Sequence, residues 1–361
     1  MEKVKTSSKP VVLVAPLDWG LGHATRCIPI IRELIRLDFK VILAAEGLIK
    51  ELFIAEFPEI KCLHLQGYRI KYARYKSLMP FKIALQIPSI LSSIRKENKW
   101  LKHSIDSNNI DIVISDNRYG LHSKKATCIF ITHQLEIRSG LGRIVNRSIQ
   151  KLNYNYIRKF NQCWIPDFKE LPGLAGSLSH PSTKPETTIQ YLGPLSRFQR
   201  TEIHTEEHLL FLLSGPEPQR SIFEKILVKE SKTIHQKIIL VRGTNNSSKP
   251  ADLPDNVTVY DLLPSTELSI LIDKSSFVIA RSGYSTVMDM IIKKKKCIFV
   301  PTPGQTEQLY LANHLMKHQL AFCQLQTDFN LSRALHMATV FRYQYTNEIE
   351  PIKISELLLQ L

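Results

Sequence analysis

The sequence predicts an α/β protein of two Rossmann-like domains, each built on a parallel sheet. Short runs of consecutive apolar residues, typical of strands that are buried on both faces, alternate with segments of helical periodicity. The pattern runs through the first half and starts again at residue 209, after turn residues at 191–194 and a polar stretch. The chain of 361 residues is also long for a single core. We therefore expect an N-terminal domain over residues 1–195 and a C-terminal domain over residues 196–361.

Each half begins with a strand, a turn and a helix. In the first half, the strand Val11–Ala15 precedes a glycine-rich turn and a helix with apolar residues at helical spacing. In the second half, a helix is expected from about Ser221. The other strands predicted in the first half are Val41–Ala45, Ile110–Ser115 and Cys128–Thr132. Those predicted in the second half are Leu209–Leu213, Ile238–Val241, Val257–Tyr260, Phe277–Ala280 and Cys297–Val300. Such alternation places helices on both faces of each sheet.

The composition is that of a folded globular protein with excess positive charge. Hydrophobic residues make up 43% of the chain, which argues against disorder, and the formal net charge is +15. No run approaches about 18 uncharged apolar residues, so we expect no transmembrane helix. The first ten residues lack an apolar segment and the six cysteines form no C-x-x-C pair, which favours a cytoplasmic protein with reduced thiols. The charge implies a polyanionic neighbour: nucleic acid, an anionic membrane or a phosphate-bearing substrate.

Polar residues that follow predicted strands are candidates for ligand binding, because ligands of open α/β sheets bind beyond the carboxyl ends of the strands. Residues 281–289 follow one such strand and begin a helix. Gly283 lets the backbone approach a phosphate, and Ser285 and Thr286 add hydroxyls to free first-turn amides. Asp289 is placed to accept hydrogen bonds from a ribose diol. A capped helix with an acidic first turn is the alternative interpretation.

A second loop leads from the strand that ends at Val300 into another helix. Its proline–glycine turn brings Gln305, Glu307 and Gln308 to one point. Side chains of this kind supply the hydrogen-bond donors and acceptors that sugar hydroxyls require. The alternative is an amphipathic helix with a polar first turn.

The N-terminal half offers candidate bases at the equivalent sheet edge. His23 ends a turn with Gly20 and Gly22 and is expected at a helix N-terminus, where the helix dipole disfavours the protonated imidazole and so suits a general base. A simple turn into a helix is the alternative interpretation of the two glycines. Asp18, just before the turn, is placed to orient the imidazole or to act as the base itself.

Two further polar clusters follow later strands of the first half. Asp116 comes after the strand that ends at Ser115 and is an alternative base. His133 and Gln134 follow the next strand and are expected to line the cleft. Buried polar groups bonded to neighbouring backbone are the alternative interpretation of each.

Together, the two C-terminal segments resemble glycosyltransferase family 28. The family signature is a strand, R-S-G-x-x-T-x-x-E, a helix, a strand ending in V-P and a glutamine-rich loop, and the order and separation match here. The first half is similar to the family in its glycine-rich loop ending in Gly-His. The resemblance implies the GT-B fold, in which two Rossmann-like domains face a central cleft, and a nucleotide-sugar donor held by the C-terminal half.

The resemblance also implies roles by position. Asp289 takes the place of a ribose-binding glutamate, Gln308 that of a sugar-contacting glutamine, and Leu309 replaces the second glutamine of the family pair. Gly215 stands in a turn that faces the diphosphate, and Leu263 in the loop that contacts uracil. The residues expected to bind the donor are therefore Gly215, Leu263, Arg281, Ser282, Gly283, Ser285, Thr286, Asp289, Gln305, Glu307 and Gln308.

The positive charge concentrates in the N-terminal half. Residues 61–105 are rich in Lys and Arg, hold one acidic residue, Glu97, and include aromatic residues such as Tyr68 and Trp100. Three basic residues then recur every four positions beside apolar ones, at Arg143, Arg147 and Lys151. Docking on an anionic membrane is one interpretation, with each charge contributing about 1 kcal/mol. A solvated cationic face is the other, and no recognised nucleic-acid module is present.

The sequence therefore predicts a glycosyltransferase that moves a hexose or N-acetylhexosamine from a UDP-sugar to an acceptor hydroxyl. A lipid-linked or cell-envelope glycan is one option for the acceptor, and the inner face of the plasma membrane is one for its location. The predicted bases are His23 and Asp116, and the acceptor-side residues are Asp18, Gly20, Gly22, His133 and Gln134. No metal or other cofactor is expected, because the chain has no Asp-x-Asp pair. The alternatives are a nucleotide-sugar epimerase on the same fold and a non-catalytic membrane- or polyanion-binding protein.

Overall fold

Two parallel sheets organise the chain, as the alternation of apolar strands and helices predicts. The computed structural model describes residues 9–68, 79–199, 208–244, 252–345 and 354–360, with only the backbone described for 79–87. Within these ranges, one sheet has seven strands and the other six, and every strand pair is parallel. The predicted α/β class is confirmed.

The first sheet has the order β3-β2-β1-β4-β5-β6-β7. Its strands are β1 Val11–Pro16, β2 Lys40–Ala45, β3 Cys62–His64, β4 Ile112–Asp116, β5 Thr127–Ile131, β6 Gln162–Ile165 and β7 Thr188–Tyr191. The strand order reverses between β1 and β4, so the loops that follow these two strands diverge and leave a crevice.

The second sheet repeats this arrangement with the order β10-β9-β8-β11-β12-β13. Its strands are β8 His208–Leu212, β9 Ile238–Val241, β10 Val257–Tyr260, β11 Ser275–Ala280, β12 Cys297–Phe299 and β13 Phe322–Cys323. Here the order reverses between β8 and β11, which places a second crevice beyond their carboxyl ends. The predicted domain boundary at 195/196 lies between the two sheets and stays a prediction.

The helices cover the sheets with apolar stripes. In the helix that follows β1, the residues at positions 24, 27, 28, 31 and 34 are buried, which is the spacing of one helical face. The helices are α1 Leu21–Arg36, α2 Gly47–Glu56, α3 Met79–Asn108, α4 Arg143–Ile157, α5 Gln219–Ser231, α6 Ser265–Lys274, α7 Tyr284–Ile292, α8 Thr306–Lys317, α9 Leu331–Val340 and α10 Ile354–Leu358.

One apolar cluster joins the two sheets. It runs from α1 to α7, where Tyr284, Val287 and Met288 are buried against the first domain. Ile354 and Leu358 of α10 belong to the same cluster, because α10 packs against α1. The two domains therefore share a continuous core at the base of the cleft.

The predicted strands are all present, with ends that differ by up to two residues. Four further strands, β3, β6, β7 and β13, carry no prediction from the sequence. They contain two to four residues each, and none of them consists of four consecutive apolar residues.

The cysteines and the helices bear on two further expectations. All six cysteines are free thiols, and four of them are buried. Within the ranges that the structure describes, no helix combines the length and the apolar character needed to cross a bilayer.

Candidate active site between the two sheets

His23 and Asp116 form a hydrogen-bonded pair at the crevice of the first sheet. His23 lies in the first turn of α1 and Asp116 is the last residue of β4, so both stand where the strand order reverses. Their atoms Nδ1 and Oδ1 are 2.8 Å apart. Asp116 is fully buried, and Arg26 donates from Nε to Oδ2 at 2.5 Å and from Nη2 to Oδ1. The sequence singled out both residues, as alternative bases and not as a pair.

The electrostatics of the pair fix the state of the imidazole. Burial raises the pKa of Asp116, but the charge of Arg26 and the contact with His23 outweigh it and hold that pKa well below its usual value. An ionised carboxylate only accepts, so Nδ1 of His23 carries the proton and donates it to Asp116. Burial, and then the charge of Arg26, lowers the pKa of His23. The ring is therefore neutral near pH 7, with its lone pair on Nε2.

Arg26 is a member of the site that the sequence interpretation missed. It is buried on the same stretch of α1 as His23 and binds both oxygens of Asp116. A signal was available, since an arginine at a buried position of an amphipathic helix needs a charged partner. Its Nη2 also lies 2.9 Å from Nδ1 of His23, but two protonated nitrogens share no hydrogen bond.

His133 connects the first sheet to the second. It follows β5, and its Nε2 is 2.8 Å from Oε1 of Glu307 in the first turn of α8. Its ring stacks on Tyr284 of α7 with centroids 4.1 Å apart. Burial opposes ionisation of Glu307, but His133 outweighs it and the pKa of Glu307 falls below its usual value. The structure therefore brings a predicted acceptor-side residue and a predicted donor-side residue into contact.

The glycine turn of the first domain touches the start of α7. Ser285 donates from Oγ to the carbonyl oxygen of Gly22 at 2.7 Å. A Cβ atom at Gly22 would lie 2.9 Å from that Oγ, so a larger residue there would force the Ser285 hydroxyl to move and disturb this contact. Thr286 is the next residue of the same first turn, and Gly283 caps it. This is the arrangement expected of a site at which the two domains close around a ligand.

Asp289 lies beneath this helix start, next to the segment that joins the two sheets. Its Oδ1 accepts a hydrogen bond from Oγ of Ser196 at 2.6 Å. Burial raises the pKa of Asp289 to about 6, although Arg197 attracts its charge. Arg197 also donates to Oγ of Ser265 at 3.3 Å, and the sequence interpretation did not single it out. The role of Asp289 in ribose binding stays a prediction.

Several predicted donor residues bind backbone. Arg281 is almost fully buried and donates to carbonyl oxygens of Val300 and Gln219, each at 3.1 Å. Oγ of Ser282 donates to the carbonyl oxygen of Gln308 at 2.9 Å. These two side chains fasten the loops under the crevice instead of pointing into it, because they donate to the protein's own carbonyl oxygens. Nε of Arg281 is buried without a hydrogen-bond partner.

The remaining donor-side predictions divide between open and packed positions. The space beside the α-carbon of Gly215 is open and its φ is +99°, a conformation that favours glycine. Oε1 of Gln308 accepts from the backbone N–H of Thr302 at 2.8 Å, while Gln305 directly precedes α8. Leu263 packs against the apolar cluster that joins the domains.

On the acceptor side, Asp18 does not hold the imidazole of His23; Asp116 does. Oδ1 of Asp18 instead accepts from the backbone N–H of Tyr68 at 3.0 Å, and its carboxylate lies against Gly67. Gln134 donates its backbone N–H to Oγ1 of Thr132 at 3.1 Å. Gly20 directly precedes α1 with a φ of +90°.

Known proteins show the same sequence pattern and the same fold. Residues 209–346 match the glycosyltransferase family 28 C-terminal domain. A protein of Methanosarcina acetivorans, described as an uncharacterized glycosyltransferase, is 24% identical over 311 residues, which are 80% of this chain and 79% of that protein. The UDP-N-acetylglucosamine--N-acetylmuramyl-(pentapeptide) pyrophosphoryl-undecaprenol N-acetylglucosamine transferase of Buchnera aphidicola is 23% identical over 263 residues, covering 70% of this chain and 66% of that enzyme.

Solved glycosyltransferase structures superimpose on both domains at once. Spinosyn forosaminyltransferase SpnP aligns with a TM-score of 0.62 at 14% identity, covering 98% of this chain and 99% of that one. MurG of Acinetobacter baumannii aligns with a TM-score of 0.55 at 15% identity, covering 98% and 94%. At such identities the likeness shows the fold, which is GT-B. Residues 209–346 therefore form a glycosyltransferase family 28 C-terminal domain in a chain with the GT-B fold, and this domain implies a glycosyltransferase with a nucleotide-sugar donor.

Proposed function

We propose that the protein transfers a hexose or N-acetylhexosamine from a UDP-sugar to an acceptor hydroxyl, with His23 as the general base. The observation that carries this proposal is the contact between Nδ1 of His23 and the buried, arginine-bound Asp116, which keeps the imidazole neutral. Its Nδ1 is occupied, so Nε2 is the nitrogen available to a substrate. A base in this state takes up a proton near neutral pH.

The chemistry is a displacement at the anomeric carbon. Nε2 of His23 removes the acceptor proton while the acceptor oxygen attacks, and the bond from the anomeric carbon to the diphosphate breaks with its electron pair on the diphosphate. The first turn of α7, at Ser285 and Thr286, and the open turn at Gly215 supply N–H groups and a helix dipole for the departing charge. Asp116 is fully buried with both oxygens bonded, so we assign it to orienting His23 and stabilising the imidazolium.

The test begins with the donor. A thermal-shift screen of UDP, GDP, dTDP and their sugars should find stabilisation by UDP and its sugars, because ligand that binds only the folded state stabilises it. Transfer should then be abolished by His23→Ala with the affinity for UDP unchanged. Loss of UDP binding in that variant would remove His23 from the role of base. Conversion of the donor to its epimer without acceptor would instead identify an epimerase.

The donor assignments and the absence of a metal are part of the same proposal. Asp289→Ala should weaken UDP binding if its carboxylate reaches the ribose when the donor enters. Activity should persist in excess EDTA, since the charge of the diphosphate is met by α7. Unchanged UDP affinity in the first case, or loss of activity in the second, would contradict that part of the proposal.

We also propose that helix α4 docks on an anionic membrane, next to a lipid-linked acceptor. Ile144 is 81% exposed, and with Leu141 and Leu152 it forms an exposed apolar stripe. Arg143 and Arg147 are exposed beside it, and α4 contains no acidic residue. Apolar side chains between cations are typical of helices that lie in the headgroup region of an anionic bilayer.

The position of α4 supports the same proposal. Just before α4, the carbonyl oxygen of Arg138 accepts a hydrogen bond from Oγ1 of Thr306 at 2.6 Å, so the helix begins at the rim of the cleft. The basic and aromatic region at 61–105 gives this membrane-docking proposal less support. Its residues 69–78 lie outside the described ranges. Tyr68 is buried with its hydroxyl on Glu97, and the half-buried Trp100 packs against the core.

Vesicle co-sedimentation tests the surface. The protein should bind vesicles that contain phosphatidylglycerol and not pure phosphatidylcholine, and Arg147→Ala should weaken binding about five-fold. Ile144→Asp should weaken it further, whereas the control Ile54→Asp, at a residue 49% exposed on α2, should not. Equal effects of the two aspartates, or binding to nucleic acid and not to vesicles, would overturn this proposal.

A further inference from the structure

A continuous chain of polar contacts crosses the cleft from the donor domain to His23. Glu307 of α8 bonds Nε2 of His133 at 2.8 Å, and Nδ1 of His133 lies 3.1 Å from Nη1 of Arg26. Arg26 binds both oxygens of Asp116, which holds His23. Four of these five side chains lie in the first domain, and only Glu307 comes from the second.

The chemistry of Arg26 fixes the tautomer of His133. A guanidinium has donors and no acceptor, so Nδ1 of His133 must accept from Nη1. Nε2 therefore carries the proton and donates it to Oε1 of Glu307. Only the neutral, Nε2-protonated ring satisfies both neighbours at once. The stacking of that ring on Tyr284 of α7 adds a second contact from the donor domain.

Arg26 is oriented by three acceptors. Its Nε and Nη2 point to the two oxygens of Asp116, and its Nη1 points to His133. The planar fork cannot turn without losing one of these contacts. Asp116, in turn, is the acceptor that keeps the proton of His23 on Nδ1. An arginine that loses its third acceptor inside the protein leaves a buried donor unsatisfied, and the fork is then free to shift on Asp116.

We propose that His133 and Glu307 are positioning residues that make the base depend on closure of the donor domain. Glu307 and Tyr284 reach His133 only when the two domains are together as they are here. Closure thus selects the tautomer of His133 that accepts from Arg26, and this sets Asp116 and His23 for proton removal. The proposal rests on the proposed role of His23 and gives Glu307 a function other than binding the donor sugar.

Steady-state kinetics of Glu307 variants provide the first test. Glu307→Ala should lower kcat about 10- to 100-fold, with the KM for the donor sugar nucleotide within about two-fold of wild type. Without Glu307, His133 can adopt its other tautomer, and the buried Nη1 of Arg26 then loses its hydrogen-bond acceptor. Glu307→Gln keeps an oxygen that accepts from Nε2 and should restore most of the lost kcat. A rise in the donor KM at constant kcat would instead place Glu307 on the sugar and overturn the proposal.

A double-mutant cycle tests the connection through His133. His133→Ala removes both the nitrogen that accepts from Arg26 and the group that reaches Glu307. Its kcat should fall as in Glu307→Ala, and the double variant should be no slower than either single one, since both changes break the same contact. Additive losses would show two independent effects and reject the coupling.

Side-chain ¹⁵N NMR gives a readout that needs no turnover. His133 should show the Nε2-protonated tautomer in the wild type and a mixture of tautomers in Glu307→Ala, with unchanged melting temperatures as the folding control. This measurement stands even if His23→Ala leaves transfer intact, an outcome that would refute the proposed base and not the contact. A wild-type His133 that is protonated on Nδ1 would refute the contact itself.

Discussion

Replacing Asp289 by asparagine should stabilise the protein at neutral pH, although it removes a charge from the predicted donor site. Asp289 is 8% exposed, and its burial raises its pKa from 3.8 to about 6. The folded state therefore binds the proton more tightly than the unfolded state does. Stability from this group is fully present below pH 3.8 and is lost as the pH rises through about 6.

The size of the effect follows from the two pKa values. The difference between 3.8 and about 6, at about 1.36 kcal/mol per unit, amounts to about 3 kcal/mol at pH 8. At pH 5 only about 1.6 kcal/mol of it has been lost. The asparagine side chain bears no charge, and its Oδ1 can still accept from Ser196. The advantage of the asparagine variant over wild type should therefore grow by about 1.4 kcal/mol between pH 5 and pH 8.

Urea unfolding of wild type and Asp289→Asn at pH 5, 6, 7 and 8 measures this growth. Asp289→Ala is the matched control, because it also removes the titrating group but loses the bond to Ser196. It should show the same pH trend as the asparagine variant, displaced to lower stability by about 1 kcal/mol. A difference between wild type and the asparagine variant that does not change with pH would refute the reasoning.

Three further predictions concern the site and its support. Gly22→Ala should lower kcat/KM, because its Cβ would lie 2.9 Å from Oγ of Ser285. Adding Ser285→Ala should recover part of that loss. If the double variant recovers nothing, the loss does not come from this contact between the two domains. The acid limb of kcat/KM against pH should lie below 6.5, since burial and then the charge of Arg26 lower the pKa of His23, and a limb above 6.5 would exclude it as the base. Arg281→Gln should lower the free energy of unfolding by about 3 kcal/mol, because its guanidinium is buried against backbone carbonyls. The folded variant should keep its affinity for UDP. Weaker UDP binding at unchanged stability would show instead that Arg281 binds the donor.

The sheets were predictable because strands that are buried on both faces give continuous apolar runs in the sequence. Val11–Pro16 and Ile238–Val241 are runs of apolar residues, and each can be recognised without knowledge of its neighbours. The strand Thr188–Tyr191 gave no such signal, because it borders the first sheet and is half-buried. Its place in the sheet depends on pairing with β6, which the linear sequence does not reveal.

The site was predictable in position and less so in detail. His23 and Asp116 could be found because they follow strands, yet whether they compete as bases or cooperate depends on a side-chain contact across 93 residues. The same limit explains why the prediction for Asp18 was wrong: its carboxylate binds the backbone of Tyr68 instead of the imidazole of His23. It also explains Arg281, which lies in a family signature but binds carbonyl groups under the crevice.

The contact of α10 with α1 has a consequence for protein engineering. Ile354 and Leu358 cover apolar surface of the first half, and Ser355 hydrogen-bonds Glu33 of α1. The folding unit that presents His23 is therefore discontinuous in the gene. A chimera designed to exchange donor specificity should take its C-terminal helix from the same parent as its first half. A fragment truncated after the first sheet lacks α10, so we expect it to expose the apolar surface of α1 that α10 covers and to aggregate.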